Sequence, residues 1–184
     1  VTYNYMDSTM ERPIWTTSSL ARSTWADSAI FGKPHGTEYD ADATSDATVG
    51  NTEGVTTYYE HETGTNQIKA GATTAIAASI QSGDFDLDQR GLAGDGEFMM
   101  KIRRVIPDFL QQTGAARVTL NLKSYPTDTE ASSSLGPFEV DSDTTKIDTR
   151  ARARAIALKV DNTSITQHWK LGTFRLDIQP DGRR

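Results

Sequence analysis

The stretch DTRARARAIALKV, Asp148 to Val160, decides how the chain is read. Three arginines, Arg150, Arg152 and Arg154, alternate with alanines and then give way to Ile156, Leu158 and Val160. A period of two is the period of a strand, and on a helix the same spacing would scatter the arginines around the cylinder. A disordered basic arm would lack the apolar continuation. The spacing therefore predicts one strand. Arg152, Arg154, Ile156, Leu158 and Val160 are expected on one face, wet at its start and buried at its end. Ala151, Ala153, Ala155 and Ala157 are expected on the other, small enough for a second sheet to approach closely.

Working outward, the neighbouring signals are also those of strands. ARVTLNLKSYP, from Ala116, alternates Val118, Leu120 and Leu122 with Thr119, Asn121 and Lys123, the pattern of a half-buried strand. EFMMKIRRVIPDF, from Glu97, follows a glycine-rich turn, and Pro107 and Pro126 close the two runs because proline cannot donate to a ladder. VTTYYEHE from Val55 is rich in β-branched and aromatic residues, and AIAASIQSGDFDL from Ala75 reads as strand in preference to a short helix over Thr73–Ile80. Residues 127–145 read as a polar connection. Five or six strands without a convincing long helix predict an all-β chain. Its expected form is antiparallel sheets with long irregular loops, either a β-sandwich or a partial β-propeller. The expected organisation is an irregular, aromatic-anchored segment over 1–54, with an exposed loop at 40–54, followed by a β-rich domain over 55–184.

Composition narrows the function classes. At 184 residues one domain or two small ones can form, and a compact chain of this size buries about 70% of its unfolded surface. Yet only 36% of residues are hydrophobic and the mean hydropathy is −0.54. A thin core is expected, completed by long polar loops or by neighbouring chains. The formal net charge of −6 argues against coating nucleic acid by bulk attraction. With no cysteine there are neither disulfides nor thiolate metal sites. No apolar run approaches the roughly 20 residues needed to cross a bilayer, so no membrane-spanning segment is expected. The chain starts at Val1 rather than Met, which suggests the C-terminal piece of a longer protein.

Few constellations suggest chemistry. Asp84, Asp86 and Asp88 sit at positions one, three and five of a calcium-loop pattern. Gln89 then stands where the sharp turn needs glycine, and Asp95 where a bidentate Glu belongs. These three are weak calcium candidates, and an acidic hairpin at a strand end is the plainer reading. His35, His61 and His168 are scattered singly, without zinc-site spacing. No nucleophile elbow or phosphate loop is present. A glycoside hydrolase is a further alternative, since so acidic a chain offers many carboxylates, but no pair is singled out for it. The chain is therefore not expected to be an enzyme, and no cofactor is called for. Trp15, Trp25, Tyr58, Tyr59 and Trp169 could form a sugar-stacking platform, the basis of an alternative reading as a carbohydrate-binding β module for host-surface recognition. Core anchoring is the other role open to them.

SSLARSTWADSAIFGKP (Ser18–Pro34), YYEHETG (Tyr58–Gly64), IQSGDFDL (Ile80–Leu87), FMMKIRRVIPDF (Phe98–Phe109) and the terminal WKLGTFRLDIQPDGRR resemble, in this order, the C-terminal part of the tail-tube or nozzle component of short-tailed bacteriophages. That family is also labelled packaged-DNA stabilisation protein. The likeness covers most of the chain and rests on the order of the segments and on RLDIQPDGRR. It implies a structural virion protein of the tail, β-rich and propeller-like. It further implies a homo-oligomeric ring, expected to be a hexamer, beneath the portal and adaptor, through which DNA passes without sequence recognition. It implies no catalytic residues. Members of the family are several times longer, so this chain would be a fragment or an abridged relative. In this setting Arg150, Arg152 and Arg154 are expected to face carboxylates of a neighbouring strand or subunit. Trp169 and Arg175 in the terminal stretch are expected as further interface contacts.

Overall fold

The computed structural model describes residues 2–3, 9–10, 15–16, 22–41, 54–69, 71–87, 96–125 and 127–182. Among these residues nearly all of the regular structure is antiparallel β, and no sheet closes on itself. The all-β expectation holds. The chain divides into two compact units, 1–64 and 65–184.

The first unit carries β1 (Thr2–Tyr3), β2 (Trp15–Thr16), β3 (Thr24–Ala26), α1 (Ser28–Phe31), β4 (His35–Asp40) and β5 (Val55–Glu60). A three-stranded sheet runs in the order β3-β4-β5. Because β4 and β5 pair from His35↔Glu60 to Asp40↔Val55, this sheet extends across residue 54, where the sequence pattern changes. Asp27 caps the one-turn helix by accepting from the Ser28 amide, and Gly32 ends it at a φ of 75°. Residues 42–53, most of the expected loop, lie outside the described residues.

The second unit contains β6 (Asn66–Lys69), β7 (Ala72–Ala75), β8 (Ala78–Gln81), β9 (Phe85–Asp86), β10 (Met100–Ile106) and β11 (Phe109–Thr113). It continues with β12 (Ala116–Lys123), β13 (Ser133–Val140), β14 (Ile147–Ala153), β15 (Ala155–Asn162), β16 (His168–Leu171) and β17 (Arg175–Pro180). Two sheets share one core. One runs β14-β10-β17; the other runs β13-β12-β15-β8, with β9 also pairing β15. Met100, Ile102 and Val105 from the first meet Val118, Leu120, Ile156 and Val160 from the second, all essentially buried. The alternation over Ala116–Lys123 is realised as expected, with Ala116, Val118 and Leu120 turned inward.

Three sequence expectations are corrected. Many more than six strands form, because runs of two to five residues escape a periodicity test that needs longer windows. The connection over 127–145 contains β13, whose Leu135, Phe138 and Val140 pack on the core while it pairs with β12 from Ala116↔Val140 to Leu122↔Ser133. The opening stretch is two strands, not one. β14 pairs with β10, β15 pairs with β12, and the chain changes sheet at Arg154. Before the crossing the inward residues are odd-numbered: Ile147, Thr149, Ala151 and Ala153. Beyond it Ile156 and Val160 enter the shared core. The small alanines of β14 thus form the buried face, and Arg150 and Arg152 are left on the solvent side. A strand that leaves one sheet for another must break parity, and a local pattern of two carries no sign of where this happens.

Candidate functional site

The most distinctive surface lies on the outer face of the β14-β10-β17 sheet. β10 is the strand that builds it. Its pairing with both neighbours shifts register between Ile102 and Arg104, so it carries a bulge. Ile102 and Val105 are both fully buried, and the two residues between them, Arg103 and Arg104, bridge the change of parity. A bulge of this kind re-aims side chains. Here it sets consecutive arginines beside Arg150 of β14.

Lys101, Arg103, Arg104, Asp148, Thr149 and Arg150 line a shallow depression of about 370 Å³. Asp148 is the one acid in this lining, and it is already doubly engaged. It accepts from Arg104 Nε at 3.0 Å and lies 3.0 Å from Lys146 Nζ. The hydrogen bond from Arg104, followed by that from Lys146, holds its carboxyl below the usual carboxylate range. The floor is tied down by Thr149, whose buried hydroxyl donates to the Ile102 carbonyl at 2.8 Å. Lys101, Arg103 and Arg150 have no carboxylate partner among the described residues. On a chain of net charge −6 this is a local excess of positive charge.

The other anticipated contact residues fall elsewhere. Arg152 is exposed and pairs with Asp181 of its own chain. Arg154 is half-buried at the sheet crossing, where Nη1 donates to the carbonyls of Gly96 at 2.7 Å and Glu97 at 3.0 Å. Trp169 packs edge-on to Phe109 and donates from Nε1 to Asn162 at 3.0 Å, so it anchors the core margin. Arg175 begins β17 and is exposed. Of the calcium candidates, Asp84 is engaged by Lys123 and Asp86 accepts from the Gly96 amide at 2.9 Å. Asp88 lies outside the described residues. Among the described residues no three His, Asp or Glu side chains converge to hold a metal ion.

Trp25, Tyr58 and Tyr59 do not share one face of the first unit's sheet. Trp25, Gly36 and Tyr59 stand in one cross-strand row, and Thr24, Thr37 and Tyr58 in the next. Adjacent rows point to opposite faces of a sheet. Trp25 tilts against His61, and Arg22 lies 4.0 Å over the ring of Tyr59. Tyr58 stacks on His35 and hydrogen-bonds its Nδ1. The side chain of Trp15 is outside the described residues, and Trp169 belongs to the second unit.

No protein-family model matches the chain, and no curated protein is significantly similar to it. Among the described residues no helix is long and apolar enough to cross a membrane. The cationic patch was only half legible in the sequence. The alternating arginines marked β14, but the contributions of Lys101 and Arg103 depend on a bulge and on the β10–β14 register, neither of which local spacing reveals.

Proposed function

We propose that the chain is a structural subunit of a short-tailed phage tail tube or nozzle, a ring component of the conduit through which genome DNA leaves the virion. The observation that carries this reading is the openness of the second unit. Its two main sheets share one core, and among the described residues they end in unpaired edge strands, β13 and β8 on one sheet and β14 and β17 on the other. Exposed edges of this kind are surfaces that assembly can use. The order of the five segments that resemble the nozzle family supports the same conclusion. So does the overall acidity, because DNA slides past like charge where a basic lumen would bind phosphates and release counterions.

In this reading the protein has no catalytic role, and its partners are further copies of itself together with portal, adaptor and other tail proteins. A carbohydrate-binding module would present its aromatics on one surface, and the opposed faces of Trp25 and Tyr58 lend it no support. Negative-stain microscopy of the purified protein and immunolabelling of intact particles test the proposal. Ring-shaped assemblies and label on the tail are expected. A protein that stays monomeric, is absent from the particle, and binds glycans with loss on Trp25→Ala would replace this reading with the carbohydrate module.

A further inference from the structure

The cationic face has a counterpart in the same unit. From Ser124 to Thr145 the sequence contains no lysine, arginine or histidine, but holds Asp128, Glu130, Glu139, Asp141 and Asp143. This acid-only segment surrounds and includes β13, the free edge of its sheet. Asp128 and Asp141 are engaged by local donors, Asp128 by Tyr125 and Ser132, Asp141 by Asp143 and Thr144. Glu130, Glu139 and Asp143 are exposed, and among the described residues none of them forms an ion pair; Arg117, which stands opposite Glu139 across the ladder, is taken by Asp161. Among the described residues, unit 65–184 therefore presents three cations without an ion pair beside the edge strand β14 and three carboxylates without one on and around the edge strand β13.

We infer that the second unit binds another copy of this chain through these two surfaces, Lys101, Arg103 and Arg150 of one copy facing Glu139 and Asp143, at the Val140 end of β13, of the next. The inference rests on the ring-subunit reading for its biological setting and on charge complementarity for its chemistry. Arginine forks match carboxylates bidentately, and like-signed alternatives are rejected at such a contact. A polyanion such as nucleic acid is the poorer occupant. It would be repelled by the net charge of −6 and would meet Asp148 in the depression itself. Neither edge invites indiscriminate ladder extension. Pro137 interrupts the donors of β13, and charged side chains guard β14. The match is thus selected by charge.

The full chain would be studied by sedimentation velocity and native mass spectrometry at low and high ionic strength, with circular dichroism as the check on folding. Wild type is expected to self-associate at low salt and dissociate as salt rises. The pair Arg103→Glu and Arg150→Glu, or the pair Glu139→Lys and Asp143→Lys, should each weaken association by about tenfold or more. All four substitutions together restore the net charge of −6 with the polarity of the contact exchanged, and should restore association. Wild-type monomers at both salt concentrations, undiminished association in either pair, or no recovery in the fourfold variant would each overturn the inference. So would binding of a duplex DNA fragment by monomeric wild type that is lost with Arg103→Glu and Arg150→Glu. Rings that persist in the reversed pairs would remove this contact and leave the conduit reading intact. A salt-dependent dimer that never forms rings would do the opposite.

Discussion

His61 shows how one side chain can make the first unit sensitive to pH. Its Nε2 accepts from Arg22 Nε at 3.1 Å, and the same guanidinium pairs with Glu38 and covers the ring of Tyr59. A neutral imidazole supplies the acceptor that Arg22 needs. A protonated one would lose it and set two positive charges together. Burial first, and then the charges of Arg22 and His35, depress the pKa of His61 below its ordinary value of 6.5. With the folded value lowered, the contribution is complete above the unfolded pKa. It declines as pH falls through the folded one, because the unfolded chain takes up the proton first. Thermal unfolding of the full chain followed by tryptophan fluorescence is expected to show a lower Tm at about pH 5 than at about pH 7. His61→Gln, which keeps a neutral acceptor, should flatten that difference. An unchanged slope in the variant would show that His61 does not carry it.

At the scale of elements, two local irregularities position the outer surfaces, and each can be tested. In β13 the pairing with β12 shifts between Val118 and Leu120, and Gly136 sits there with a φ of 116°. A Cβ at this position would lie 2.8 Å from the Val118 carbonyl oxygen. Gly136→Ala is therefore expected to cost about 1–3 kcal/mol in urea unfolding, through both the backbone angle and the contact. At the sheet crossing, Arg154 ties the end of β14 to the Gly96–Glu97 backbone, while its own amide donates to the Lys123 carbonyl at 3.0 Å. Arg154→Ala removes charge-assisted bonds at a half-buried site and should cost about 1–3 kcal/mol in the same measurement. Equal stability in both variants would mean that neither irregularity is held in place by these contacts. The element scale is also where the sequence was least explicit. Val118, Leu120 and Leu122 announced β12 because one face of that strand is apolar. Ser133–Val140 was hidden because its core-facing Leu135, Phe138 and Val140 are not spaced by two throughout: the irregularity at Gly136–Pro137 breaks the alternation. The Arg103–Arg104 bulge left only two adjacent arginines in an otherwise alternating run.

For the whole molecule, the decisive asymmetry is where apolar side chains are buried. Among the described residues the first unit buries one large hydrophobic side chain, Tyr59, whereas the shared core of Met100, Ile102, Val105, Val118, Leu120, Ile156 and Val160 belongs entirely to the second. The thin core expected from a mean hydropathy of −0.54 is thus concentrated in about two thirds of the chain. Burial of apolar area is the principal force that offsets chain entropy, and the described residues place most of it in the second unit. The division falls just after Glu62–Gly64, an exposed bend in which Glu62 and Gly64 both take positive φ values, of 58° and 70°. Limited proteolysis is expected to cut first within 1–64 or at this bend and to leave a resistant fragment ending near Arg184. Expressed alone, residues 65–184 should unfold cooperatively, with the near-ultraviolet signal of a packed Trp169, while residues 1–64 alone should show no such transition. Cooperative unfolding of the isolated 1–64 piece, or collapse of 65–184 without it, would mean that stability is shared between the units rather than built on the one core.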